Sequence, residues 1–372
     1  MIGRILSRFG PELAVALVLV VLLPLLHAAG IVSDYRLNLF GKYLALALLA
    51  IAMDLIWGYT GILSLGQAIF FGFGAYSMGM YMLLASSGKS VYGEAIPDFM
   101  VWNRVTELPA FWVPFRSFAF ALAAALVLPA AVAAVIGWLT LARRVAGVYF
   151  SILTQAIAFA AWLMFNRNEM NLGGTNGLTD FKSVLGFSLG QPRTLWGLYV
   201  VTAIVVSAVF ALSRALVRSK MGLVLTAARD QESRLQFLGY PVSRYKIFIF
   251  VLAAMITGLG GALYAPQVGI ITPSQIGVVP SLEIVVWVAF GGRGTLLGAL
   301  IGAIGVNAAR SLLTTYYPDW WPIILGGLFM FVVLALPEGV VGLPTRLRRG
   351  VRALRERFVS DDEKGPTTVV IG

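Results

Sequence analysis

FAFALAAALVLPAAVAAVIGWLTL, residues 118–141, runs 24 positions without a charge. A helix needs about 20 apolar residues to cross the hydrocarbon core of a bilayer, so this stretch spans. Similar stretches lie on either side of it, at 11–30, 43–58, 62–85, 147–165, 196–213, 247–265, 294–316 and 322–341. A shorter apolar piece, 281–291, follows Pro280 and is closed by Gly291 and Gly292. It is too short for an ordinary span and reads as a half-helix or a broken one. Of 372 residues, 59% are hydrophobic and only 12% charged, whereas soluble domains carry about 25% charge. That composition argues against soluble enzymes, nucleic-acid binders and disordered chains. The expected class is an all-α, polytopic integral membrane protein of about ten segments, with a transmembrane domain over 1–345 and a basic tail over 346–372.

The chain has no cysteine and one histidine, His27, which leaves little for a metal centre, and no cofactor is expected. It has no G-x-x-x-x-G-K-[ST] run, so it carries no phosphate-binding loop of its own. Gly258-Leu259-Gly260-Gly261 sits inside a membrane segment and is read as helix packing, as are the glycines at 61, 66, 72, 74 and 79. The first segment follows Arg4 and Arg8 and resembles a signal peptide, but its length favours an uncleaved span.

Basic residues orient the chain. With the N-terminus inside and ten crossings, nineteen of the 28 lysines and arginines fall in inner segments, so both termini are expected in the cytoplasm. The outer loops 86–117 and 166–195 read as folded. The first sets prolines among Phe99, Trp102, Phe111, Trp112 and Phe115, aromatics suited to a membrane interface. The second holds the turn-former cluster Gly173-Gly174-Thr175-Asn176-Gly177. The tail after residue 346 is expected to be mobile and cytoplasmic.

Between two spans lies one long inner loop, 214–246. Its apolar residues Met221, Val224, Leu225, Ala228, Leu235 and Leu238 recur at near-helical spacing, opposite Arg229, Asp230, Glu232, Ser233 and Gln236. Gly239 and Pro241 end the helix. Such a helix either lies on lipid or inserts its apolar face into a partner. The second reading has Val224, Ala228 and Leu235 filling a groove, with Arg229, Asp230 and Glu232 at its rim.

This loop, with Ala227-Ala228-Arg229-Asp230, Leu238-Gly239, Tyr245-Lys246 and Gly258 to Ala265, resembles the coupling region of bacterial ABC permeases of the branched-chain amino-acid type. Trp57 to Tyr76, Gly147 to Phe159 and Gly173 to Asp180 resemble the same family, in order along nearly the whole membrane part. Within it, Pro97 to Asn103, Thr106 to Trp112, Thr154-Gln155 and Phe165 to Phe181 look like the urea-type subunit. The resemblance implies a non-catalytic subunit in a bacterial inner membrane. Its implied partners are a second related permease, two cytoplasmic ATPases, an external substrate-binding protein and membrane lipid. It implies import of urea, with branched-chain amino acids as the alternative. An ATP-independent channel or secondary transporter would leave the 221–238 helix unexplained. Gln236-Phe237 departs from the family, which often has a small residue there.

Polar groups at depth need an account, because each is costly unless paired or wetted. Asp54 reads as an interface-level carboxylate or a bond to a neighbouring helix. Glu283 is expected in the first turn after Pro280, facing the positive helix end. Arg310 is expected to pair with an acid or to snorkel. Urea is neutral, so its path needs donors and acceptors but no counter-charge. Ser64, Gln67, Thr154, Gln155 and Asn307 fit that chemistry, as does the indole N–H of Trp162 or Trp287; the candidate path residues are Ser64, Gln67, Thr154, Gln155, Trp162, Glu283 and Asn307.

Overall fold

The computed structural model describes residues 10–86, 96–143, 145, 147–335 and 339–343. Nine helices among them are long and apolar enough to cross a membrane. They are α1 (Gly10–Ala28), α2 (Asp34–Gly58), α3 (Gln67–Ser86), α4 (Phe118–Arg143), α5 (Val148–Phe165), α6 (Pro192–Arg218), α8 (Val242–Val268), α9 (Pro273–Gly291) and α10 (Leu296–Tyr316). Between α6 and α8 the chain forms α7 (Lys220–Phe237), and a shorter apolar helix, α11 (Trp321–Ala335), follows α10. The protein is an all-α polytopic membrane protein. The sheet among the described residues is one hairpin, Ser183–Val184 against Phe187–Ser188. Arg4, Arg8 and the tail after 346 lie outside the described residues.

Three helix limits differ from the sequence expectation, and each shifts a functional group. α2 begins at Asp34 rather than at 43. Ser33 caps it, its side chain accepting from the Arg36 amide, with Asp34 in the first turn, and both features favour a helix start. Lys42, expected in an outer loop, therefore lies inside the span. α3 begins at Gln67 rather than at 62, because 61–66 is not helical. Gly61 there takes φ +76°, and the Leu65 amide donates to Thr154 Oγ1 at 3.0 Å. α9 is longer than 281–291: a 3-10 turn at Pro273–Gln275 precedes an α-helix over Val278–Gly291. Pro280 fits in its first turn, where the missing N–H would have had no helical partner.

Lipid tails are as apolar as leucine, so helices in a bilayer associate by close packing rather than by hydrophobic exclusion. The centre of this bundle follows that rule. α8 packs against α2, α3 and α4, and of the glycines the sequence marked for packing, Gly74, Gly258, Gly260 and Gly261 sit at these crossings. A Cβ on Gly74 would fall 1.8 Å from the Gly258 carbonyl oxygen, and one on Gly261 would fall 2.1 Å from that of Phe71. α9 and α10 pack the same way, with Gly302 against the Trp287 carbonyl. At the periphery α1 is held to α6 by Tyr199 Oη donating to the Leu19 carbonyl at 2.8 Å. Glu12 adds ion pairs to Arg214 at 2.9 Å and Arg218 at 3.3 Å.

The loops that precede α4 and α6 join each other. Trp112 Nε1 donates to the Asn171 carbonyl at 3.1 Å, so Trp112 and Phe115 are buried in the fold while Trp102 and Phe111 stay exposed. The glycine cluster takes positive φ at Gly173, Gly174 and Gly177. It delivers Leu178 to Ile271, where both amides and both carbonyls pair.

Candidate functional site

Near the Leu178–Ile271 pairing, a partly open cavity of about 710 Å³ lies among α2, α3, α5, α8, α9 and α10. Its walls are mixed. Leu46, Leu49, Phe71, Ile284 and Trp287 supply apolar surface, while Tyr43, Tyr264, Gln275, Asn307 and Ser311 supply polar groups. Lys42 and Arg310 bring two positive charges and Glu283 one negative.

The charged groups come from three helices. Glu283 sits in the second turn of α9, because that helix starts at Val278 rather than after Pro280. The first-turn capping role is thereby corrected. Glu283 Oε2 instead accepts from Arg310 Nη1 of α10, with the carboxylate side chain buried and that of Arg310 44% exposed. Lys42 of α2 points its ammonium at the Tyr264 ring, 6.0 Å from the centroid. At the hydroxyl of that tyrosine, Gln275 Nε2 donates to Tyr264 Oη at 3.3 Å. Gln275 Oε1 is buried with no donor among the described residues.

The sequence-selected path residues divide. Trp162, Glu283, Trp287 and Asn307 line the cavity. Gln155, half-buried on α5, is not in its wall. Ser64 and Thr154 line a separate crevice with no room for a water molecule. Thr154 is occupied structurally, accepting from Leu65 and donating to the Phe150 carbonyl at 3.0 Å. Gln67 Nε2 donates to Thr257 Oγ1 at 3.0 Å, a bond between α3 and α8. Lys42, Tyr264 and Gln275 were not selected from sequence. The Ser33-Asp34 cap was the available signal for Lys42, since it starts the helix early enough to enclose that residue.

At the opposite end of the bundle, α7 is docked on its own chain. It is broken at Gln231, where φ is −150° and ψ 77°. Ala228 and Leu235 form a small cluster with Val242 and Val224 is half-buried, so the expected partner-facing stripe is largely covered. This corrects the groove-filling reading for Ala228 and Leu235, while Val224 keeps part of its side chain outside. The apolar side chains α7 and its end leave outside are Leu223, Phe237 and Leu238, with Phe237 91% exposed. Glu232 accepts from Lys246 at 2.6 Å. Arg229 pairs with Asp230 at 2.9 Å and donates through Nη1 to the Gly58 carbonyl at 2.7 Å. Gly239, at φ +83°, ends the segment as expected.

That contact reaches a compact junction. α2 closes in a π-helical turn, Asp54–Gly58. Asp54 Oδ1 accepts from the Gly294 amide at 2.6 Å, so it bonds the turn between α9 and α10. From the same turn Arg293 stacks 4.6 Å over Trp57 and donates to its carbonyl at 3.0 Å. Burial and the neighbouring Arg229 lower the Arg293 pKa, and Asp54 acts against them.

A family model for the permease component of the branched-chain amino acid transport system matches residues 35–333. The chain belongs to that family. It is 25% identical over 352 residues to the high-affinity branched-chain amino acid transport system permease protein LivM of Escherichia coli, covering 88% of this chain and 74% of that one. A probable LivM of Methanocaldococcus jannaschii is 23% identical over 81% of this chain and 91% of its own. The LivH permease of E. coli is 27% identical over 37% of this chain and 44% of its own. No solved structure matches. The protein is therefore a multi-pass ABC-type transport permease.

Proposed function

We propose that this chain forms, with a second permease, the translocation path of an ATP-driven importer for branched-chain amino acids in a bacterial inner membrane. The observation that carries the reading is the cavity. It joins aliphatic and aromatic wall to two cations and one carboxylate, a lining suited to a zwitterion with an apolar side chain. Urea, the expectation from sequence, has no charge for that set to meet. The names of the relatives favour the amino-acid reading as well. In this proposal both termini are cytoplasmic, the cavity opens outward, an external binding protein delivers substrate beside the 166–195 loop, and two ATPases dock at the α7 end. A deletion strain should lose uptake of labelled leucine while keeping that of labelled urea. Loss of urea uptake alone would reverse the assignment.

The orientation makes its own prediction. Asn176 is exposed at the tip of the glycine turn. A cysteine placed there should crosslink to the binding protein and not to the ATPases. Crosslinking to the ATPases would turn the molecule over.

A further inference from the structure

We infer that Lys42 binds the carboxylate of an α-amino acid, with Gln275 and Glu283 receiving its ammonium group and the Tyr264 ring as the floor between them. This rests on the importer reading and specifies which residue reads the charged end of the substrate. Lys42 sits eight residues into α2, inside a membrane span, where an ammonium is retained only with a partner or with water. Among the described residues no carboxylate lies within ion-pair distance of it: Glu283 is engaged by Arg310. Its neighbour is the face of Tyr264, whose hydroxyl accepts from Gln275. The cavity wall therefore sets an ammonium and a glutamine, whose amide oxygen is buried without a donor among the described residues, against one tyrosine. These are the complements of a carboxylate and an ammonium carried on a single carbon. Leu46, Leu49 and Ile284 in the same cavity offer apolar surface to an aliphatic side chain. A neutral amide would leave the Lys42 charge unmet, whereas an amine without a carboxylate would add a third cation.

The test uses the whole complex in proteoliposomes, with the binding protein loaded with leucine, and reads leucine moved per ATP hydrolysed. Lys42→Met should lower that ratio at least tenfold, Lys42→Gln should do the same, and Lys42→Arg should restore most of it. A general packing defect would instead lower transport and hydrolysis together and would not be rescued by arginine. Wild-type coupling in Lys42→Met, or in Lys42→Gln should the methionine variant fail to assemble, overturns the inference and leaves the importer reading standing. Equal losses in the arginine and methionine variants also overturn it. A wild-type complex that moves urea but not leucine overturns the importer reading itself.

Discussion

Phe237→Asp is expected to strip the ATPase subunits from an otherwise intact, membrane-inserted permease. Phe237 is the most exposed large apolar side chain among the described residues, with Leu223 and Leu238 also outside. In the proposed coupling role, these apolar groups at the end of a helix already docked on its own chain are the surface left for the partner's groove. A carboxylate there would have to enter the partner's groove unpaired, which costs several kcal/mol, and about 4 kcal/mol already lowers affinity roughly a thousandfold. Co-purification of the ATPases and leucine uptake should both be lost, while the yield of the permease in the membrane holds. Normal co-purification would make α7 a surface element without a coupling role. Ala228→Asp is the wrong probe for this question. Ala228 is buried against Leu235 and Val242, so that change would dislodge α7 from its own chain and confuse misfolding with lost docking.

The second large effect is expected from a single methyl group. Gly74→Ala places a Cβ 1.8 Å from the Gly258 carbonyl oxygen, an overlap that only separation of α3 from α8 relieves. Backbone on both sides leaves no rotamer to adjust, so the cost should reach or exceed the usual range of about 1–3 kcal/mol for overpacking. The variant should be depleted from membranes and should melt well below the wild type in detergent. Gly197→Ala is the control. It lies within α6 with nothing inside 4 Å of the added atom, and alanine is the better helix former there. Equal melting of the two variants would show that the α3–α8 crossing has slack.

Most spans were legible because an apolar run of bilayer length is hard to mistake. Errors fell where a run hides a change of backbone. The stretch 61–66 is apolar enough to extend the third span, yet its conformation is set by Gly61 and by the Thr154 hydroxyl, a partner far away in sequence. Lys42 was lost for the opposite reason, since a charge next to Gly41 looks like the end of an apolar run when it is part of a longer helix. From sequence Glu283 reads one turn too early, because Pro280 looks like the residue before the helix and is in fact a member of its first turn. For α7 the spacing points to an apolar stripe of which Leu225, Ala228 and Leu235 are buried, while Leu238, beyond the break at Gln231, is exposed. Periodicity reports which side of a helix avoids water, but not which molecule covers it, and here Val242 of the same chain does part of that work.

α2 carries Lys42 near one end and Gly58 at the other, with continuous helix between them. At 1.5 Å per residue the two are about 24 Å apart along the axis. A helix buried on most sides neither stretches nor compresses appreciably, so it behaves as a push-rod. Arg229 grips that rod at Gly58, and Asp54 and Trp57 fasten it to the turn joining the two helices that carry Glu283 and Arg310. In the proposed importer, load applied at α7 would be shared between three walls of the cavity through these anchor points. Side-chain exchange at Trp57 would spare the carbonyl anchor and remove only the stacking surface, whereas loss of the Arg229 guanidinium would remove the bond that joins α7 to α2 at Gly58.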